Sequence, residues 1–356
     1  MQPRIPKGAG ELCLVVLSLA LGLVVLEIAL QTRQAWARRQ VSSPTIDEPE
    51  VPLHIVLDEP TIYGLNPQHP EISSQGLRNQ EVVIPKPANR KRILVLGDSV
   101  TFGTSVRREE AYPARLEAAL ARQGDNQVEV INAGVSGYSP FNQLQYYKTR
   151  GRALEPDIVV VGFCMNDVAN PRLHWDNTGT AIAQIPDDAI PNELYASRLS
   201  RKRDSLLIRS VLYTTIKSRL FRNDATEKLP TFITGEDPNL SIQVLVDQDS
   251  QEWRWLTSMY DQLRDELNAD GAELIIVVFP LEYQLDAGYP HLPQQNLNEY
   301  CESRGIRCLD LLPRFREDPF GDYYLQDAGI RDPWHLSTRG HELTAMLLAD
   351  LLLATP

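Results

Sequence analysis

The strongest constraint on the fold of this chain is a set of short segments that contain no polar residue. Ile93-Leu94-Val95-Leu96, the apolar core of Asp157 to Gly162, and Leu274-Ile275-Ile276-Val277-Val278-Phe279 are continuous rather than alternating. A strand with one wet face alternates apolar and polar residues, whereas a strand covered on both faces does not. Helical patterns lie between these runs. Tyr112 to Arg122 reads as a helix with Pro113 near its first turn and Gly124 just past its end. Val128 to Ala133 predicts another strand, and Phe141 to Thr149 a second helix. Trp253, Leu256, Tyr260, Leu263 and Leu267 recur at helical spacing, with Gly271 after them. Ile306 to Leu309 predicts a last strand, and Thr338 to Leu353 a closing helix. Strands alternating with helices imply right-handed crossovers, and so a parallel sheet covered on both faces. The expected fold class is therefore α/β, a three-layer α/β/α arrangement around a central parallel sheet.

The ends and the middle of the chain depart from this rhythm. Residues 1–11 form a basic N-terminal segment with Arg4 and Lys7. Residues 12–30 are apolar except for Ser18, Gly22 and Glu27. As a helix, at ~1.5 Å per residue, they would span about 28 Å, close to the thickness of a bilayer's hydrocarbon core. The run is longer than the usual apolar region of a cleaved signal peptide, although Ala35-Trp36-Ala37 resembles a cleavage site. The expectation is a transmembrane signal anchor, with the folded domain on the extracytoplasmic side. Residues 31–90, rich in proline, read as a stalk and lead-in in which long helices are forbidden. Residues 91–354 form the main domain, interrupted by a polar, irregular insertion at 167–250. Within the insertion, Ser205 to Phe221 suggests a helix, either packed on the domain as a lid or lying on a membrane surface.

Composition narrows the chemistry. A net charge of -12 argues against a nucleic-acid partner, because phosphate binding needs a basic face. The four cysteines form no CxxC motif, and the six histidines form no HExxH, so a zinc site has little support. No cofactor is expected. Cys301 and Cys308 are candidates for a disulfide in an oxidising compartment, but the simpler reading is two unpaired thiols.

In open parallel sheets, ligands bind beyond the carboxyl ends of the strands. Gly97-Asp98-Ser99 follows the first strand, Asn132-Ala133-Gly134 closes the second, and Met165-Asn166-Asp167 follows the third. Asp332-Pro333-Trp334-His335 comes late, in a predicted loop before the closing helix. Topology thus gathers a serine, a glycine amide, an asparagine side chain and an Asp/His pair at one rim. A serine hydroxyl becomes nucleophilic when a histidine takes its proton, and that histidine needs a carboxylate on its other nitrogen. Ser99, His335 and Asp332 have those capacities. The backbone N–H groups of Ser99 and Gly134 and the side-chain amide of Asn166 could stabilise the oxyanion of a tetrahedral intermediate.

These residues sit in recognisable blocks. Val95-Leu96-Gly97-Asp98-Ser99-Val100-Thr101-Phe102-Gly103, Asn132-Ala133-Gly134-Val135-Ser136-Gly137, Gly162-Phe163-Cys164-Met165-Asn166-Asp167 and Asp332-Pro333-Trp334-His335-Leu336 occur in order and at compatible spacing. In these blocks the chain resembles the SGNH (GDSL-type) hydrolases. The resemblance implies a flavodoxin-like three-layer fold, no metal, and ester hydrolysis through an acyl-serine. It gives Ser99, His335 and Asp332 the catalytic roles, and Ser99, Gly134 and Asn166 the oxyanion hole. The expected activity is a membrane-anchored serine esterase whose partner is an acyl ester of a glycan, a lipid or a small alcohol, O-acetyl esters included. Two other uses of the same domain are an O-acyltransferase acting on a glycan and a non-catalytic binding module.

Simpler readings exist for each residue alone. Asp98 or Ser99 could serve as a helix cap, and Gly134 as a turn glycine. His341 is the rival base, His174 is a solvent-exposed residue of the insertion, and Cys164 is a packing residue.

Overall fold

The structure of the chain, a computed structural model, describes residues 51–354 apart from 58, 62, 169–172, 176–180, 185–247, 250, 286–290, 319–320 and 328–329. Residues 18, 22, 25, 27–29 and 32 are described as well. In chain order, β1 (His54–Val56) and β2 (Tyr63–Leu65) form an antiparallel pair. They are followed by β3 (Lys91–Gly97), α1 (Ser99–Phe102), α2 (Tyr112–Arg122), β4 (Val128–Asn132), α3 (Pro140–Tyr146) and β5 (Ile158–Phe163). A small antiparallel pair, β6 (Leu173–Trp175) and β7 (Ala181–Gln184), precedes α4 (Gln251–Asp270) and β8 (Glu273–Val278). The chain closes with α5 (Leu292–Arg304), β9 (Arg307–Asp310), α6 (Leu312–Arg316), the hairpin β10 (Tyr324–Asp327) and β11 (Ile330–Leu336), and α7 (Thr338–Leu353).

The central sheet has the order β4-β3-β5-β8-β9, with every neighbouring pair parallel. Because side chains alternate along a strand, each all-apolar run feeds two cores. Leu94, Leu96, Val159, Val161, Ile276 and Val278 pack with α3, α4 and α5. Ile93, Val95, Ile158, Val160, Ile275 and Val277 pack with α2, α6 and α7. That division is the three-layer arrangement, and it explains why these strands carry no polar member.

Two features differ from the sequence expectation. Asp332 and His335 lie on β11, not in a loop, because the segment pairs with β10 to make a hairpin outside the main sheet. Helix α5 has no apolar period because polar residues occupy part of its buried face. Gln294 there exchanges two amide hydrogen bonds, of 2.9 and 3.0 Å, with buried Gln284.

Residues 51–90 are tied closely to the domain. Tyr63 and Leu65 are buried, and Arg92, also buried, donates to Val83 O, Leu154 O and Glu129 Oε2. In the expected anchor, residues 18, 22, 25 and 27–29 are helical, with Val25 and Ile28 exposed. The rest of that span lies outside the described residues. Among the described residues, no helix is long and apolar enough to cross a membrane. The expected helix at Ser205 to Phe221 also lies outside the described residues.

Candidate active site

The parallel register sets Gly97 beside Gly162 at the carboxyl ends of β3 and β5. A Cβ on either glycine would run into the Thr101 hydroxyl, so the sharp exit from β3 needs both. Directly after Gly97, Asp98 caps α1, its Oδ1 accepting the Val100 N–H at 2.9 Å. Ser99 is the first helical residue. The capping role that competes with a catalytic reading of Ser99 therefore belongs to Asp98.

Ser99 Oγ lies 2.9 Å from His335 Nε2. His335 Nδ1 lies 2.6 Å from Asp332 Oδ2, while Asp332 Oδ1 accepts the backbone N–H groups of Trp334 and His335 at 2.9 and 3.1 Å. Asp98 Oδ2 is 3.5 Å from Ser99 Oγ, a longer contact than the one to the imidazole. The serine hydroxyl is thus directed at a histidine whose other nitrogen is held by a carboxylate.

Electrostatics follow from that placement. Burial by itself lowers the affinity of His335 for a proton, but the hydrogen bond and charge of Asp332, joined by the charge of Asp98, outweigh it. The net result is an imidazole pKa above its ordinary value. Burial raises the Asp332 carboxyl, yet the His335 contact and two backbone N–H donors hold it below its usual range.

Gly134 packs flat against α1, and a Cβ there would sit 2.7 Å from Thr101 C and overlap the Phe102 nitrogen. Its N–H donates to Asn132 Oδ1 at 3.0 Å, so the expected oxyanion donor is engaged locally. Asn132 Nδ2 donates to Thr101 O at 3.0 Å and to Phe102 O at 3.4 Å. Asn132 is thus a structural partner of the site that the blocks alone do not assign a role. The Asn-x-Gly spacing, typical of a side chain that closes a turn onto the amide two residues on, is the signal for it. Asn166 lies in the 3-10 turn Met165–Val168, but its side-chain amide lies outside the described residues.

The other candidates separate clearly. His341 is buried, accepts the Tyr112 N–H on Nδ1 at 3.2 Å, and is stacked on the Tyr112 ring. Burial, with the charges of Arg78, His335 and Arg115, pushes its pKa down to about 3. The His174 side chain lies outside the described residues. Cys164 does more than pack, since its thiol reaches Asp98 Oδ1 at 3.5 Å. Cys301 and Cys308 are free thiols in adjacent elements. Among the described residues, no group of three or more His, Cys, Asp or Glu could hold a metal ion.

No curated protein matches the chain. Among solved structures it is similar to a catalytic mutant of Axe2, an acetylxylan esterase from Geobacillus stearothermophilus, at 15% identity over 74% of this chain and 92% of that one, with a TM-score of 0.42. It is also similar to the lipase/acylhydrolase from Enterococcus faecalis, at 17% identity over 74% and 95%, with a TM-score of 0.41. A third likeness is a member of the lipolytic protein G-D-S-L family from Veillonella parvula, at 13% identity over 74% and 100%, with a TM-score of 0.40. The family model for GDSL-like lipases/acylhydrolases matches residues 95–343, which is more than half of the chain and takes in Ser99, Gly134, Asn166, Asp332 and His335. The chain belongs to the GDSL-like lipase/acylhydrolase family.

Proposed function

We propose that this chain is a serine esterase that cleaves acyl esters, O-acetyl esters among them, through an acyl-serine on Ser99. The observation that carries the proposal is the contact chain Ser99 Oγ to His335 Nε2 at 2.9 Å and His335 Nδ1 to Asp332 Oδ2 at 2.6 Å. In the first half-reaction, His335 Nε2 takes the hydroxyl proton as Oγ bonds to the acyl carbon. The same proton passes to the alcohol oxygen as the ester C–O bond breaks. In the second, water loses a proton to His335, attacks the acyl carbon and releases the acid, which returns Ser99 to its hydroxyl form. The Ser99 N–H, at the N-terminus of α1, has no acceptor within its own helix and is the first oxyanion donor. Gly134 N–H joins it when Asn132 Oδ1 yields or shares that proton.

We also propose that residues 12–30 anchor the enzyme in a membrane, with the domain on the extracytoplasmic side. Support comes from the apolar length of the run, from the helical form of its described residues 18, 22, 25 and 27–29, and from the exposure of Val25 and Ile28 among them.

The test is a fluorophosphonate reaction mapped by mass spectrometry, followed by a panel of acyl esters and a sugar acceptor. A single phosphonyl adduct on Ser99 together with ester turnover supports the reading. A wild-type protein that takes up no probe sinks it. Acyl product on the sugar instead of free acid would reassign the chemistry to transfer.

A further inference from the structure

Residues 51–90 precede the stretch matched by the family model, yet they reach into the candidate site. Arg78 is buried with 3% exposure. Its Nη1 donates to Phe102 O and Gly103 O, both at 2.7 Å, and its Nη2 donates to Val106 O at 2.8 Å. Its guanidinium lies over the Phe102 ring, 4.3 Å from the centroid, and pairs with Glu71 at 2.9 Å. The next residue, Asn79, accepts the Asn132 N–H on Oδ1 at 3.3 Å.

These contacts meet a specific need. Helix α1 is four residues long, so its carbonyls have almost no intrahelical donors, and its end is the negative pole of a short dipole. Gly103, at φ +87, turns the chain away at once. A helix this short has little rigidity of its own. The Asn132 amide holds Thr101 O and Phe102 O from one side, and the Arg78 fork holds Phe102 O, Gly103 O and Val106 O from the other. Ser99 stands at the opposite end of the same helix, and Gly134 packs on its flank.

We propose that Arg78 is a positioning residue for the esterase, locking α1 against Gly134 so that the Ser99 hydroxyl and the oxyanion donors keep one relative geometry. The proposal rests on the reading of Ser99 as nucleophile. A planar fork with several donors suits carbonyls at different angles in a way that a single ammonium does not.

The experiment uses the full-length chain in detergent. It compares wild type, Arg78→Ala and Arg78→Lys for the rate of fluorophosphonate labelling at Ser99 and for kcat and KM on a small p-nitrophenyl ester, each per folded molecule. For Arg78→Ala, the labelling rate and kcat should fall about ten-fold or more, as expected of sub-ångström misplacement. KM should move less than about three-fold, because the Arg78 side chain is buried and its donors are spent on backbone carbonyls. Methylguanidinium should restore part of both rates in Arg78→Ala. Arg78→Lys, which fills the space, should be impaired and unresponsive to the additive. If Arg78→Ala does not fold, Arg78→Lys carries the test through its labelling rate and its split between kcat and KM. Labelling at the wild-type rate per folded molecule, or a change confined to KM, would overturn the positioning role alone. If neither variant folds, Arg78 is a stability residue and the proposal falls. A wild type that never labels overturns the esterase reading instead, and this proposal with it.

Discussion

Asp98 and Ser99 divide the start of one helix between them: Asp98 Oδ1 accepts the Val100 N–H at 2.9 Å, and its Oδ2 stands 3.5 Å from the Ser99 hydroxyl. The carboxylate that orders the loop therefore also lies in the field of His335, whose proton affinity it raises.

A pH dependence follows. The proposed base, His335, can take a proton only when neutral, and its pKa lies above the ordinary histidine value of ~6.5. The acid limb of kcat/KM should accordingly fall above that value in the wild type. Asp98→Asn keeps an acceptor for Val100 but removes a charge that favours the imidazolium, so the limb should move to lower pH. A pH–rate profile on a neutral ester checks this; a limb that stays in place contradicts the electrostatic role of Asp98.

Ser99→Ala and His335→Ala should each lower kcat by at least about a thousand-fold, and the double variant should be little worse than either single one. Both side chains sit at the rim, and neither completes the core, so the melting temperature should change by only a few degrees. Turnover of a chromogenic ester and a thermal scan measure the two quantities. Multiplicative losses in the double variant would mean that the residues do not act as a unit.

Gly134→Ala places a Cβ against Thr101 and Phe102, where 2.7 Å to Thr101 C leaves no room. Overpacking of this kind costs about 1–3 kcal/mol of stability, and displacement of the proposed oxyanion donor should cost about a hundred-fold in kcat. Urea unfolding and steady-state kinetics together test it. A variant with wild-type kcat would remove Gly134 from the site.

His341 makes a stability prediction. Its pKa is pushed down to about 3 in the folded chain, against ~6.5 when unfolded. The unfolded state therefore binds the proton first, and the stabilising contribution, complete above ~6.5, is lost as pH falls toward about 3. Wild type should lose up to about 1.4 kcal/mol per pH unit across that window from this group. His341→Asn, which cannot titrate, should be less stable at neutral pH but should show a shallower decline. Urea melts of both proteins at pH 7 and pH 5 compare the slopes, and parallel slopes would contradict the burial account.

Much of this protein was legible in its residues because the relevant forces are local. Strands buried on both faces need continuous apolar runs, and Ile93 to Leu96, Ile158 to Val161 and Leu274 to Val278 had to be strands for that reason. The helix at Tyr112–Arg122 is marked by Pro113 in its first turn and Gly124 just past its end, and the closing helix Thr338–Leu353 lies where the sequence predicts it. The blocks around Ser99, Gly134 and Asn166 were readable because each falls where a strand of the parallel sheet ends, and the His335 block because an aspartate stands three residues before the histidine.

Only the tertiary structure decided which of those groups touch. Ser99 and His335 are 236 residues apart, and their contact depends on a β10–β11 hairpin that periodicity did not reveal. Asn132 takes the Gly134 N–H, and Arg78 holds carbonyls 24, 25 and 28 residues away. Such bonds join a side chain to distant backbone, and backbone carbonyls leave no mark on the identity of the residue that carries them. Apolar burial writes itself into the sequence residue by residue; the pairing of a buried guanidinium with a short helix's last carbonyls exists only once the chain has folded.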